Sequence, residues 1–348
     1  VRTAEIALIY NDYIDEPPVA PAQLFNQACS NDSVTIESWR KTWIDNTRAN
    51  KEYLGTFKEF SVGQLFQKNK YGVAICAGSG PSLGVNGKEL LNKGDIPLIS
   101  CLHNFHFFED LGVKVDYYVS LDAGPVVIEE VSEGGKKSED EYWKLTKDRT
   151  LIAFTGSHPD LFKKWQGKIY VFAAPVPDKA YLEAMEEIEP FHVNIGNGGN
   201  VLGACLYFAK AILGVHRVGM VGADFCFDNK THQKFHSWDS KYDQKRGHVI
   251  PHHDVFGNKV FTWPSYKNFK NWFEYLALSI PDNNPETKFY SQWMVNCSEG
   301  GTLGSYAHGN LRAITQMPLG MFLNELNMSD IGKEQIEKPD HNTRRLLF

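Results

Sequence analysis

No run of apolar residues in this 348-residue chain approaches the ~20 needed to cross a bilayer, so no transmembrane segment is expected. There is no basic excess either: 36 Lys and Arg face 42 Asp and Glu, for a net charge of −6. Without a basic stripe, duplex nucleic acid is not the expected main partner. The six cysteines, at 29, 76, 101, 205, 226 and 297, never fall in the C-x-x-C spacing of a zinc ribbon or a redox pair. Most sit in apolar runs, which predicts buried free thiols in a reducing compartment. The first residues show no charged stretch leading into an apolar one, as a secretory signal would, so a cytoplasmic location is the expectation. There is no H-E-x-x-H, no glycine loop closed by Gly-Lys-Ser/Thr and no internal repeat. These absences leave a globular protein for which a small ligand stays open, to be decided by local clusters of residues. Its 42% hydrophobic and 13% aromatic content is ample for a packed core.

From Tyr71 onward, short apolar runs alternate with helical segments. "GVAICAG", "IPLISCL", "VDYYVSLD", "LIAFTG", "KIYVFAA" and "RVGMVGADF" read as strands, and "NVLGACLYFAKAILGV" as the strongest helix. Strands and helices alternating at this pitch predict a Rossmann-like α/β fold. Its sheet should be mostly parallel, with helices on both faces. Residues 1–70 read as an N-terminal appendage, helical where Ile36, Trp39 and Trp43 share a face. The transferase-like core is expected over 71–325. It would carry an exposed insertion at 131–150 and a His-rich lid-like stretch at 228–265, forming a long loop or a β-ribbon. A polar tail follows at 326–348.

Open parallel sheets bind ligands outside the carboxyl ends of their strands. Four such ends carry unusual chemistry here: "AGSGPS", "SLDAG", "GADF" and "CSEGG". In the first, Gly78 and Gly80 allow close approach to a ligand, Pro81 suits a helix start, and Ser79 and Ser82 add hydroxyls. Such a turn suits a phosphate or a ribose, or is simply a tight strand-to-helix turn. The dinucleotide fingerprint is absent, because Leu83 stands at its third glycine. A fifth cluster, Gly196, Asn197, Gly198 and Gly199, opens the strong helix, either as an anion site or as an asparagine cap. Asp122, Asp224 and Glu299, the last followed by Gly300, offer carboxylates for a metal, a ribose or an acceptor proton, or else cap turns. His232, His236, His248, His252 and His253 crowd one stretch and supply candidate bases, or a solvated loop.

As an ordered set over residues 71–310, "GSGPSL", "HNFHFFEDLGVKVDYYVSLD", "GNGGNVLGACLYFAKAILGVHRVGMVGADF" and "NCSEGGTLG" resemble the MptE-like family. That family includes the motility accessory factors (Maf) and archaeal enzymes that pyrophosphorylate a hydroxymethylpterin. The same order is similar to bacterial sialyltransferases that use CMP-sialic acid. The resemblance implies a nucleotide across the strand ends, with Gly78, Ser79, Gly80, Pro81 and Ser82 around its phosphate and ribose. Asn104 and the turn Gly196–Gly199 also match nucleotide contacts. Asp122, Asp224 and Glu299 match acidic strand ends, and the first two are the candidate magnesium ligands if the reaction needs the metal. One departure stands out. The sialyltransferases carry a catalytic histidine just before the helix that follows "GADF", and "VFTWPSYKNF" has none. His252 and His253 lie nearby, and His236 has a similar local setting. The implied activity is transfer from a CMP-activated nonulosonic acid to a glycan, protein or small-molecule acceptor. The alternatives are magnesium- and ATP-dependent pyrophosphoryl transfer and a non-catalytic nucleotide-binding protein. Self-association stays open.

Overall fold

The computed structural model describes residues 32–66, 72–190, 193–231, 233–236, 249–279, 291–305 and 314–328. In chain order its main elements begin with α1 (Asp32–Leu54), β1 (Val73–Ala77), α2 (Leu83–Asn86), β2 (Leu98–Cys101), α3 (Phe105–Leu111) and β3 (Tyr117–Ser120). They continue with α4 (Val126–Glu129), α5 (Glu139–Leu145), β4 (Thr150–Phe154), α6 (Pro159–Lys164), β5 (Lys168–Phe172) and α7 (Lys179–Ile188). Then come α8 (Val201–Tyr207), β6 (Arg217–Val221), β7 (Ile250–His253), β8 (Lys259–Thr262), α9 (Pro264–Ser279), β9 (Ser291–Asn296), β10 (Ile314–Gln316) and α10 (Leu319–Met328). The chain forms two compact units, each with four parallel strands, and the fold is Rossmann-like α/β.

The first unit holds β1, α2 and everything from β6 onward. Its strands run β10-β9-β6-β1, each pair parallel. Every residue of β1 is buried, as expected of a parallel strand covered on both faces. Helix α9 packs on β9, and α10 on β6. The stretch read as a loop or ribbon contains a ribbon: β7 and β8 pair antiparallel, with Ile250 opposite Thr262 and His253 opposite Lys259.

The second unit holds α1 and the chain from β2 through α8. Its strands run β2-β3-β4-β5, again all parallel, with α8 lying on β2 and β3. Local sequence starts its helices. Ser138 and Glu141 form a capping box on α5, Asp178 accepts from Tyr181 N at the head of α7, and Asn200 accepts from Gly203 N at the head of α8. Within the stretch expected as an exposed insertion, most of 132–141 is exposed. Val131, Tyr142, Trp143 and Thr146 are buried.

Helix α1 is built into this second unit. Trp43 meets Phe154 and Tyr181 edge-on. Asn46 Nδ2 donates to the carbonyls of Ala123 (3.0 Å) and Gly156 (3.1 Å). One turn later, Asn50 Nδ2 donates to those of Thr155 and Ser157, both at 2.8 Å. The stretch expected as an appendage thus holds the turns that follow β3 and β4. Among the described residues no helix is long and apolar enough to cross a membrane. Residues 1–31 and the tail beyond 328 lie outside the described residues.

Candidate functional site

In the first unit, the turns after β1, β6 and β9 converge on Asp224. Gly78 N donates to Val221 O at 2.8 Å and Gly80 N to Gly222 O at 2.9 Å, which sews the β1 turn to the β6 turn. Ala223 N donates to Ser298 Oγ (2.9 Å) and Thr302 N to Asp224 O (2.7 Å), which sews β6 to β9. The approach is close enough to demand glycine. A Cβ on Gly80 would collide with Asp224 Oδ2 and lie 2.7 Å from Gly222 O, and one on Gly301, at φ +76°, would collide with the Asp224 backbone. Two residues with side chains, Phe225 (φ 49°) and Glu299 (φ 58°), also sit in the left-handed region, so the turns store local strain.

Asp224 is 6% exposed. Its Oδ2 accepts from Ser82 Oγ at 2.7 Å and Ser82 N at 3.3 Å, while Oδ1 faces Gly300, where a Cβ would lie 3.9 Å away. Burial pushes this carboxyl up to about 6, against the pull of the two Ser82 hydrogen bonds. A carboxyl tuned close to neutrality is the property that a general base needs.

The glycine turn offers a phosphate fewer amides than its sequence suggests. The N–H groups of Gly78, Gly80 and Ser82 are committed to Val221, Gly222 and Asp224, and Pro81 has none. Ser79 is the one residue of the five whose amide donates to nothing among the described residues, and its carbonyl accepts from His236 N at 3.2 Å. Glu299 turns toward α10 instead, where its Oε1 accepts from Leu319 N at 3.1 Å. Asn86 Nδ2 lies 3.4 Å from the same oxygen. The Glu89 carboxyl is raised by burial and by Glu299.

The histidines separate. His252 is buried, and its Nδ1 accepts from His253 N at 2.8 Å. Burial and the Lys270 ammonium push it down to about 4, so its ring is neutral at pH 7. The carbonyl of His253 accepts from Ser305 Oγ at 2.6 Å. Asp254 organises the hairpin, accepting from Phe256 N (2.9 Å), Asn258 N (2.8 Å) and Asn258 Nδ2 (3.0 Å). The "HHD" motif is therefore a hairpin and its acid is engaged in the turn. His236 is bonded to the glycine turn through its backbone and packs against Gly84, where a Cβ would lie 3.3 Å from His236 Cβ. His232 and His248 lie outside the described residues. No group of three or more His, Cys, Asp or Glu suited to a metal occurs among the described residues.

The remaining expected residues lie in the second unit. Asn104 is fully buried and donates to Ser100 Oγ at 3.0 Å. The carbonyl of Asp122 accepts from His158 N at 3.0 Å, in the turn that Asn46 holds at Ala123. At the head of α8, Asn197 Oδ1 accepts from Gly199 N and Asn200 Oδ1 from Gly203 N, both at 2.8 Å. Gly198 and Gly199 take φ of 55° and 79°, and the Tyr207 ring packs against Gly196. The carboxamides satisfy these two amides, which is the asparagine-cap arrangement. Sequence reading missed Ser298 and Thr302. Their signal was the hydroxyl residues bracketing Glu299, Gly300 and Gly301 directly after a strand.

A model of the family described as 6-hydroxymethylpterin diphosphokinase MptE-like matches residues 47–230, just over half of the chain. The chain belongs to the MptE-like family. The match takes in the glycine turn, Asn104, Asp122, the α8 turn and Asp224. His236, His252, His253 and Glu299 fall outside it. No curated protein matches the chain. Among solved structures, the Maf glycosyltransferase from Magnetospirillum magneticum AMB-1 is similar, with a TM-score of 0.51 over 87% of this chain at 14% identity. This MptE-like chain spans 40% of that protein's length, and the likeness supports the Rossmann-like fold.

Proposed function

We propose that this MptE-like protein is a nucleotide-dependent transferase, in which Asp224 is the base that activates an acceptor hydroxyl. The observation that carries this reading is a buried carboxyl, raised to about 6, at the carboxyl ends of three parallel strands. In the step envisaged, the acceptor oxygen bonds to the transferred group and its proton passes to Asp224. The bond from that group to the donor's phosphate oxygen breaks, and the oxygen keeps the electron pair. Ser82 holds the carboxylate in place, and the Ser79 amide remains for the donor. His252 serves this role less well, because its Nδ1 already accepts from the His253 amide and burial pushes its ring down to about 4, a weak base.

We take the donor to be a CMP-activated nonulosonic acid. The fold shared with a protein named a glycosyltransferase supports sugar transfer, and the CMP-linked donor is taken from the resemblance to the sialyltransferases. The family's description favours a second reading, ATP-dependent diphosphoryl transfer to a hydroxymethylpterin. Magnesium commonly uses one or two carboxylates and takes its other ligands from water and phosphate. Asp224 fits as such a single protein ligand, and the bound ion would neutralise charge on the phosphates. Calorimetry with CMP, CTP, ATP and AMP, with and without magnesium, separates the readings. CMP binding indifferent to magnesium supports glycosyl transfer, and ATP binding that requires it supports diphosphoryl transfer. Binding of none of the four overturns the transferase reading.

A further inference from the structure

A base works only if its carboxylate is held where the acceptor's proton will be. Ser82 holds the Asp224 side chain, but its direction also depends on the backbone that carries it. The next residue, Phe225, takes a φ of 49°, which a residue with a Cβ adopts at a cost and only where its surroundings impose it. Bonds to two carbonyls impose it here. Asp224 O accepts from Thr302 N at 2.7 Å and from Thr302 Oγ1 at 3.1 Å. Phe225 O accepts from Thr262 Oγ1 at 2.6 Å, and Thr302 Oγ1 lies 3.4 Å from it. Both threonines are buried.

Thr262 ends β8, so this bond makes the antiparallel ribbon part of the Asp224 turn. A second bond runs beside it, from Phe227 N to Phe261 O at 2.9 Å. The ribbon also reaches the turn after β9, where Val255 N donates to Gly301 O at 2.9 Å and Ser305 Oγ to His253 O at 2.6 Å. The two threonines differ in what remains when a hydroxyl is removed. Thr302 keeps its amide bond to Asp224 O. Thr262 bonds to the turn through its hydroxyl, whose single proton goes to Phe225 O at 2.6 Å rather than to Trp263 O, 3.4 Å away. Without that hydroxyl, the Phe225 carbonyl keeps among the described residues only the 3.4 Å approach of Thr302, longer than an ordinary hydroxyl bond.

We propose that Thr262 is a positioning residue for the transfer step: its hydroxyl fixes the left-handed peptide after Asp224 and so aims the carboxylate at the acceptor. Thr262 acts through Asp224 alone, and the proposal rests on the reading of Asp224 as the base. Loss of the hydroxyl leaves the carboxylate bonded to Ser82 but misdirected. The chemical step then slows, while donor binding, which this hydroxyl does not serve, is kept.

The test reads turnover with water as the acceptor, its oxygen taking the transferred group and Asp224 its proton. The products measured are CMP from CMP-N-acetylneuraminic acid and AMP from ATP with magnesium, and calorimetry gives donor affinity. Thr262→Val should lose about tenfold or more in kcat, with KM and donor affinity within about twofold of wild type. Thr262→Ser, which restores the hydroxyl, should recover kcat. Ser305→Ala removes a buried hydroxyl bond from the same ribbon without touching Phe225, and should keep wild-type turnover. Thr302→Val, with its amide bond in place, carries the same comparison if Thr262→Val does not fold. Wild-type kcat in Thr262→Val beside an inactive Asp224→Asn overturns the role of Thr262 and leaves the base standing. An equal loss in Ser305→Ala, or a fall in donor affinity that matches the fall in kcat, also overturns it, since the hydroxyl would then only support the ribbon. If Asp224→Asn turns over like wild type, or wild type releases product from neither donor, the reading of Asp224 falls and this proposal falls with it.

Discussion

Asp224 and His252 titrate in opposite senses within one unit. The Asp224 carboxyl is raised from 3.8 to about 6. The folded state therefore holds its proton more tightly than the unfolded chain does. The stability that this proton contributes is present below about pH 4 and is lost as pH rises through 6. Holding the group ionised at pH 7 costs on the order of 3 kcal/mol. Asp224→Asn should remove that slope, so urea unfolding at pH 5 and pH 8 should give more similar stabilities than in wild type. The same variant should lose about 10²-fold or more in turnover, and with it the acid limb near pH 6. Retained turnover would exclude Asp224 as the base. His252 runs the other way. Lowered from 6.5 to about 4, it destabilises the fold as pH falls through that window, and His252→Gln should unfold at a lower pH than wild type. The sequence marked Asp224 as a strand-end acid. Its burial was not legible, because the hydroxyl bonded to its carboxylate belongs to Ser82, 142 residues earlier in the chain.

At the scale of elements, the strand-end turns are intolerant where they interlock. Gly80→Ala and Gly301→Ala should each cost roughly 3 kcal/mol in chemical unfolding, because a Cβ meets backbone or a buried carboxylate. Asn200→Ala should cost only about 1 kcal/mol, the worth of a helix cap. An equal cost at both kinds of site would refute the packing argument. The alternation of strands and helices was readable because parallel strands are continuous apolar runs bounded by glycine. The long helix read after Asn200 is in fact seven α-helical residues continued as a π-helical turn at Phe208–Ile212. Periodicity does not register that change, since every residue of that turn but Lys210 is apolar. The pairing within residues 228–265 was half readable. The ribbon forms at 250–262, where Asp254 closes its turn, and the bond from Thr262 to Phe225 joins residues that no local pattern connects.

Across the whole molecule, fold class and family were readable, because both rest on the order of turns along the chain. The allocation of chain to units was not. It depends on what α1 touches, and the helix's own sequence records only that it is amphipathic. The family match begins at residue 47, which lies inside α1. A chain trimmed to that boundary would leave behind Trp39, Trp43 and Asn46. It would keep Asn50 on the turn after β4 and lose the hold of Asn46 on the turn after β3. Such a chain should melt well below one that starts at residue 32, and equal melting temperatures would show that the front of the helix is dispensable. Anyone cloning relatives by the edges of the shared motif should therefore begin some fifteen residues upstream of residue 47.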